Sequence, residues 1–266
     1  MASTTASYEV QVNTNSRASL LAQLTAQGSR GFNYFGPYIV GGNAFNFYTK
    51  DSNTTYTFEV LDAPTTAPTF LSQLNAQGAK GFDLWGPTTE GSIYIKESDA
   101  TTFSYEVLPQ QTSAAAFLTQ ANTQGEKGFI YVGPYIFGSI YSKSASSSAK
   151  YTYRLGAEPT SHDALLTQAN AQGQEGYKFS GQNVFSGETT GAFRNIYVKD
   201  TTQASKFEWK ANASATSSAN LVTQANTEGA ASYVYWFSVI IGTASRELYF
   251  KPISCTGVLC RSTSPL

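Results

Sequence analysis

The chain has 266 residues, enough for one large domain or two ordinary ones, and 41% of them are hydrophobic, which supports a sizeable core. Charged residues make up only 13%, and 17 basic against 18 acidic side chains leave a net charge of -1, which excludes the basic face of a nucleic-acid-binding protein. A single histidine, His162, and a single cysteine pair exclude His-rich or Cys-rich metal sites and leave few routes to histidine-dependent catalysis.

From the N-terminus onward the chain repeats itself. The segments LLAQLTAQGSRGF (20–32), FLSQLNAQGAKGF (70–82), FLTQANTQGEKGF (117–129), LLTQANAQGQEGY (165–177) and LVTQANTEGAASY (221–233) align without a gap. Their anchor glycines are Gly28, Gly78, Gly125, Gly173 and Gly229. A regular spacing of this kind decides the architecture before any motif does. Each unit opens with a short strand such as Tyr8-Glu9-Val10 or residues 56–60. The aligned segment follows, with apolar residues eight, seven and four positions before the glycine, the one-sided spacing of an amphipathic helix of about three turns. Thr66, Ser113 and Thr160 with Asp163 stand in capping positions, and the anchor glycine is expected to close the helix in a left-handed conformation.

A second glycine and an aromatic-rich run predict a second strand, expected to stop at Gly36-Pro37, Gly86-Pro87 and Gly133-Pro134. A third strand carries an apolar-Tyr-x-Lys signature ending at Lys50, Lys96, Lys143, Lys199 and Lys251. The units are therefore strand, helix, strand, strand, over approximately 7–52, 53–100, 101–148, 149–202 and 203–253, followed by a C-terminal tail, 254–266, in one repeat domain. The third strand is expected to form a hairpin with the first strand of the next unit, so that fifteen strands join into one mixed sheet with the helices on one face. That α+β sheet is expected to close into a ring or barrel-like disc, which would remove its edges. Unit four carries an insertion, residues 186–194, and unit five has Ser232 in place of the second glycine.

The segment around Leu71, Leu74, Asn75, Gly78, Gly81 and Phe82, flanked by a Glu-containing first strand and a Lys-ended third strand, resembles a small bacterial βαββ domain family of unknown function. The family pattern has an acidic residue before the second glycine and Trp after it, where this chain has Lys80 or Arg30 and Phe. The resemblance supports the βαββ fold and implies no activity.

Tyr48, Tyr94, Tyr141, Tyr197 and Tyr249 stand two residues before the five lysines, so each pair shares one sheet face. If the flanking apolar residues meet the helices, the tyrosines look out from the opposite side with Lys50, Lys96, Lys143 and Lys199. An aromatic and polar surface of this kind suits a glycan or other neutral polymer; the alternative is that the tyrosines fill the middle of a ring or an interface. Glu59 and Glu208 are expected to face Lys50 and Lys199 across hairpins. Gln23, Gln73, Gln120, Gln168 and Gln224, five residues before each anchor glycine, are expected to make a fixed hydrogen bond between neighbouring units. His162 reads as an exposed residue at a helix start, and no catalytic set, metal site or cofactor motif is evident.

Cys255 and Cys260 are spaced for a small disulfide loop after the last strand, which fits an oxidising compartment. No apolar run approaches the ~18 residues of a membrane helix. With its low charge, the chain reads as the mature part of an exported bacterial protein, extracellular or at the cell surface. The expected function is non-enzymatic binding of a surface or extracellular polymer. A structural or self-assembling scaffold and a toxin-like or adhesin-like partner binder are the alternatives.

Overall fold

The computed structural model describes residues 5–51, 53–98, 101–188 and 192–261; parts of the unit-four insertion and of the tail lie outside them. Unit one contains β1 (Ser7–Val12), α1 (Arg17–Ser29), β2 (Asn33–Val40) and β3 (Asn43–Lys50), and unit two β4 (Tyr56–Leu61), α2 (Ala67–Ala79), β5 (Asp83–Thr88) and β6 (Gly91–Glu97). Unit three contains β7 (Phe103–Leu108), α3 (Ala114–Glu126), β8 (Ile130–Tyr135) and β9 (Gly138–Ser144). Unit four contains β10 (Tyr151–Ala157), α4 (His162–Gln174), β11 (Lys178–Val184) and β12 (Phe193–Asp200). Unit five contains β13 (Lys206–Ala213), α5 (Ser218–Ala230), β14 (Val234–Ile241) and β15 (Ala244–Ile253). The α+β repeat and its strand-helix-strand-strand order are as expected.

The pairing is not. Each unit folds its own three strands into a separate antiparallel sheet with the third strand in the middle, in the orders β1-β3-β2, β4-β6-β5, β7-β9-β8, β10-β12-β11 and β13-β15-β14. The third strand hydrogen-bonds to the first strand of its own unit, as in Ser7 opposite Lys50 and Val12 opposite Phe45, and not to that of the next. The single mixed sheet is therefore corrected to five small sheets. The helix explains why: α1 packs on its own β2 and, more extensively, on β4 of the next unit, and the same holds for α2 with β7, α3 with β10 and α4 with β13. A helix stands between successive sheets and keeps their edges apart. The same relation joins the last unit to the first, with α5 packed on β1; Ala6 N donates to Gly229 O at 3.2 Å.

The helices begin as their sequences direct. Ser16, Thr66, Ser113, Ser161 and Ser217 cap them by accepting a backbone N–H three residues on, and Thr66 with Thr69 completes a reciprocal capping box. In unit four the cap is Ser161 rather than Thr160 or Asp163. The anchor glycines do not close the helices. Gly28, Gly78, Gly125, Gly173 and Gly229 lie within the last helical turn, where a Cβ would meet the first-strand backbone of the neighbouring unit: Phe103 O would be 2.3 Å from a Cβ on Gly78, and Ala6 O 2.0 Å from one on Gly229. They are contact glycines. The left-handed residue is the second glycine, as at Gly31 (φ 84°) and Gly81 (φ 85°), and Ser232 adopts the same conformation at φ 67° in unit five.

The Gly-Pro pairs do not stop the second strand either. They lie inside it, directly after a β-bulge between Tyr34 and Gly36, Leu84 and Gly86, or Tyr131 and Gly133. Proline is tolerated because the second strand is an edge of its sheet. The bulge turns its extra residue toward the neighbouring unit: the Trp85 ring lies tilted, 4.7 Å from the Tyr34 ring, and donates Nε1 to Tyr34 O, while Phe35 lies 5.2 Å from the Tyr235 ring.

Candidate functional site

The five signature tyrosines are buried, each at 0% exposure, with their rings against the helix of their own unit. Each hydroxyl donates to the glutamine of that helix: Tyr48 to Gln23, Tyr94 to Gln73, Tyr141 to Gln120, Tyr197 to Gln168 and Tyr249 to Gln224, at 2.8–3.0 Å. The glutamine amide in turn donates to the carbonyl at the end of the first strand, at Val12, Asp62, Pro109, Ala157 and Ala213. The glutamine thus ties helix, first strand and third strand within one unit, not between units. Burial also pushes all five tyrosine hydroxyls well above their ordinary pKa.

The lysines share that helix-facing side. Lys50, Lys96, Lys143 and Lys199 donate Nζ to the carbonyl of the residue capping the helix C-terminus, Arg30, Lys80, Lys127 and Glu175, at 2.7–2.8 Å. Each also sits over the ring that follows the second glycine, as Lys96 does 5.8 Å from the Phe82 centroid. A cation there complements the helix dipole and satisfies an orphan carbonyl. The expected outward Tyr-Lys face is therefore a helix-docking device: the apolar residues flanking the tyrosine, not the tyrosine, point away from the unit's own helix. Nor do Lys50 and Lys199 pair with Glu59 and Glu208. Glu59 accepts from Gln77 Nε2 at 2.7 Å, and Glu208 from the Tyr233 hydroxyl at 3.2 Å. His162, half-buried, contacts Val239 O at 3.2 Å and joins α4 to β14.

Other side chains join one unit to the next. Asn75, Asn122, Asn170 and Asn226 each use a side-chain amide to mimic a strand partner: Asn226 Oδ1 accepts from Tyr8 N at 2.7 Å while its Nδ2 donates to Tyr8 O at 3.0 Å. Tyr105, Tyr153 and Tyr8 reach back so that their hydroxyls accept from Leu84 N, Tyr131 N and Tyr235 N.

Second-strand starts of units one to three and third-strand ends of units two to four meet around a cavity of about 560 Å³, whose wall is completed by Gln203 at the entry to unit five and by the tail. The first residue of the second strand is Asn33, Asp83, Ile130, Lys178 or Val234, a position that changes character from unit to unit while its neighbours stay alike. Asn33 and Asp83 line the cavity. Asp83 Oδ1 accepts from the Tyr105 hydroxyl at 2.5 Å and from Leu84 N at 3.0 Å, and Oδ2 has no partner among the described residues. Burial raises the Asp83 carboxyl to about 6 against the opposing pull of these two donors. Asn33 is 2% exposed, and its Oδ1 has no partner among the described residues. Across the cavity Arg261 holds Glu97 through two contacts of 2.6 and 2.5 Å, and Asp200 accepts from Thr202 and Gln203. Tyr151 is also in the wall, its hydroxyl pushed up to about 12 by burial and the charge of Asp200. The conserved pattern within the repeat drew attention to the tyrosines; the cavity is legible only in the position that breaks it.

Lys178, the unit-four member of that position, is 1% exposed, with Nζ 4.0 and 4.1 Å from the Trp236 and Phe250 ring centroids. Burial lowers its pKa well below the ordinary lysine value. At the opposite ends of the sheets, beside the turns between second and third strands, Ile39, Ile136, Val184, Phe193 and Ile240 are exposed. Unit two has Thr89 and Glu90 there, with Arg17 donating to Glu90 O. Cys255 and Cys260 form the expected disulfide. Among the described residues no helix is long and apolar enough to cross a membrane, and no group of His, Cys, Asp and Glu is arranged to hold a metal ion. No family model matches the chain, and no curated protein or solved structure matches it.

Proposed function

We propose that the chain is an extracellular, non-catalytic binding protein whose five units close into a ring and hold a small polar ligand in the central cavity. The observation that carries this reading is the cavity itself: its volume is in the range of small-molecule sites, and polar groups from different units converge on it. Asp83 offers an unpaired carboxyl oxygen and Asn33 an amide that protein partners leave incompletely satisfied, so the ligand is one that donates hydrogen bonds. Ring closure is supported by α5 on β1, and by the Asn226 and Tyr235 contacts to Tyr8, which repeat at the last junction the bonds made between units two and three. The disulfide supports an oxidising compartment. The short helix-glycine motif supports descent of each unit from the βαββ family it resembles.

The test is a screen of sugars, polyols, amino acids and amines by thermal shift, with chemical-shift mapping of the hits. The reading expects a hit that perturbs Asn33 and Asp83 and is weakened at least tenfold by Asp83→Ala; a screen without hits at millimolar ligand contradicts it.

The exposed apolar turns favour a second reading, in which the rim formed by Ile39, Ile136 and Ile240 binds an extracellular polymer or protein partner, or another copy in a scaffold. Co-sedimentation with insoluble polysaccharide and light scattering at high concentration test it. Loss of either association on serine substitution of the three isoleucines supports the rim, and a monomer that binds no polymer removes it.

A further inference from the structure

After β15 the chain enters a strap with no strand partner. Ser254 turns at φ 50°, and the Cys255–Cys260 disulfide closes a loop whose single helical turn is Val258–Cys260. Three anchors fix the strap to three different units. Thr256 N donates to Gln203 Oε1 at 2.8 Å and Thr256 O accepts from Gln203 Nε2 at 2.7 Å, at the entry to unit five. Arg261 pairs with Glu97 at the end of unit two. The Arg261 carbonyl accepts from Lys178 Nζ of unit four at 3.3 Å, the sole hydrogen bond of that amine among the described residues. Leu259, at 4% exposure, packs into the core cluster that contains Trp236 and Phe250. Thr256, Gly257, Val258 and Arg261 meanwhile form part of the cavity wall.

We infer that this C-terminal loop is a redox-released strap, which covers the Lys178 amine and one side of the central cavity while Cys255 and Cys260 are bonded and lifts when they are reduced. The physical reason is the scarcity of other restraints. The loop has no ladder bonds, its apolar anchoring is limited to buried Leu259 with Cys255 and Val258 partly buried beside it, and its remaining anchors are polar contacts, individually weak where water can replace them. The disulfide removes much of the conformational freedom those contacts would otherwise have to overcome. The chemistry is thiol–disulfide exchange: a small dithiol gives two electrons to the Cys255–Cys260 bond, which breaks to two thiols as the dithiol closes to its own disulfide. Once the strap lifts, the Lys178 amine loses its carbonyl acceptor and gains solvent, while the aromatic rings of Trp236 and Phe250 still form its base.

Amine labelling with a water-soluble acetylating ester, read residue by residue by peptide mass spectrometry, tests this on the full chain. Exposed Lys80 serves as the internal reference. In the oxidised protein Lys178 is expected to label at least tenfold more slowly than Lys80. Reduction with a dithiol, or the double substitution C255S/C260S without any reductant, is expected to raise Lys178 labelling at least tenfold and leave Lys80 unchanged, with the far-ultraviolet circular dichroism intact. Unchanged Lys178 labelling with both thiols shown free by mass overturns the inference. So does a general rise at all lysines with loss of the dichroism signal, which would make the disulfide a staple of the whole fold. The readout needs no ligand in the cavity, so it stands or falls separately from the proposed binding function.

Discussion

Tyr94 shows what one repeated side chain contributes. Its ring fills the space under α2, and its hydroxyl occupies the acceptor of Gln73, whose amide is already committed to Asp62 O. Tyr94→Phe keeps the ring and strands that acceptor, so it is expected to cost about 1–2 kcal/mol in urea unfolding, the penalty of one buried unsatisfied group; a neutral change would remove the docking role assigned to the tyrosine. Asp83 is the opposite case, a carboxyl that folding disfavours as an anion. Its folded pKa of about 6 lies above the unfolded value near 3.9. The folded state therefore holds the proton more tightly, and the contribution present below pH 4 is lost as pH rises through 6. Asp83→Asn keeps an acceptor for Tyr105 and removes the titration. It is expected to flatten the stability profile between pH 4 and 7 and to raise stability at pH 7 by about 1–2 kcal/mol; a variant whose profile parallels the wild type would show that Asp83 titrates normally.

The helices and strands were legible because their signals are local: a serine or threonine cap, apolar residues eight and four before the anchor glycine, and alternation around each tyrosine. Strand pairing was not, because neighbours in the chain usually pair in space, whereas here the third strand turns back between the two strands that precede it. That choice also decides which way Tyr48 and its equivalents face, so the error in pairing carried into the site. The interunit asparagine was likewise visible only as part of a helical repeat. Unit one lacks it: Thr25 stands at that place, with Oγ1 turned back on Leu21 O, and Phe58 replaces the tyrosine that supplies a hydroxyl at three other junctions. Thr25→Asn would give the amide access to the outer edge of β4 as Asn75 has to Tyr105. It is expected to stabilise the protein by about 1 kcal/mol in thermal or urea unfolding, and a loss of stability would mean that the first junction is built differently.

At the scale of the molecule, no unit can bury both faces of its sheet alone. One face is covered by its own helix and the first strand by the helix of the unit before it, so an open array would leave the β1 edge and the α5 face exposed. The proposed ring removes both ends, brings three members of the variable second-strand position, Asn33, Asp83 and Ile130, to one cavity, and gives the tail something to span. Hydrogen exchange at the Tyr8 amide measures this most directly. In a closed ring that amide, eight residues from the N-terminus, is bonded to Asn226 across 218 positions of sequence. Its protection factor is then expected to match those of Tyr105 and Tyr153, whose amides have the same kind of partner at interior junctions. Exchange of Tyr8 at the rate of a free edge strand, with Tyr105 and Tyr153 protected, would contradict the ring.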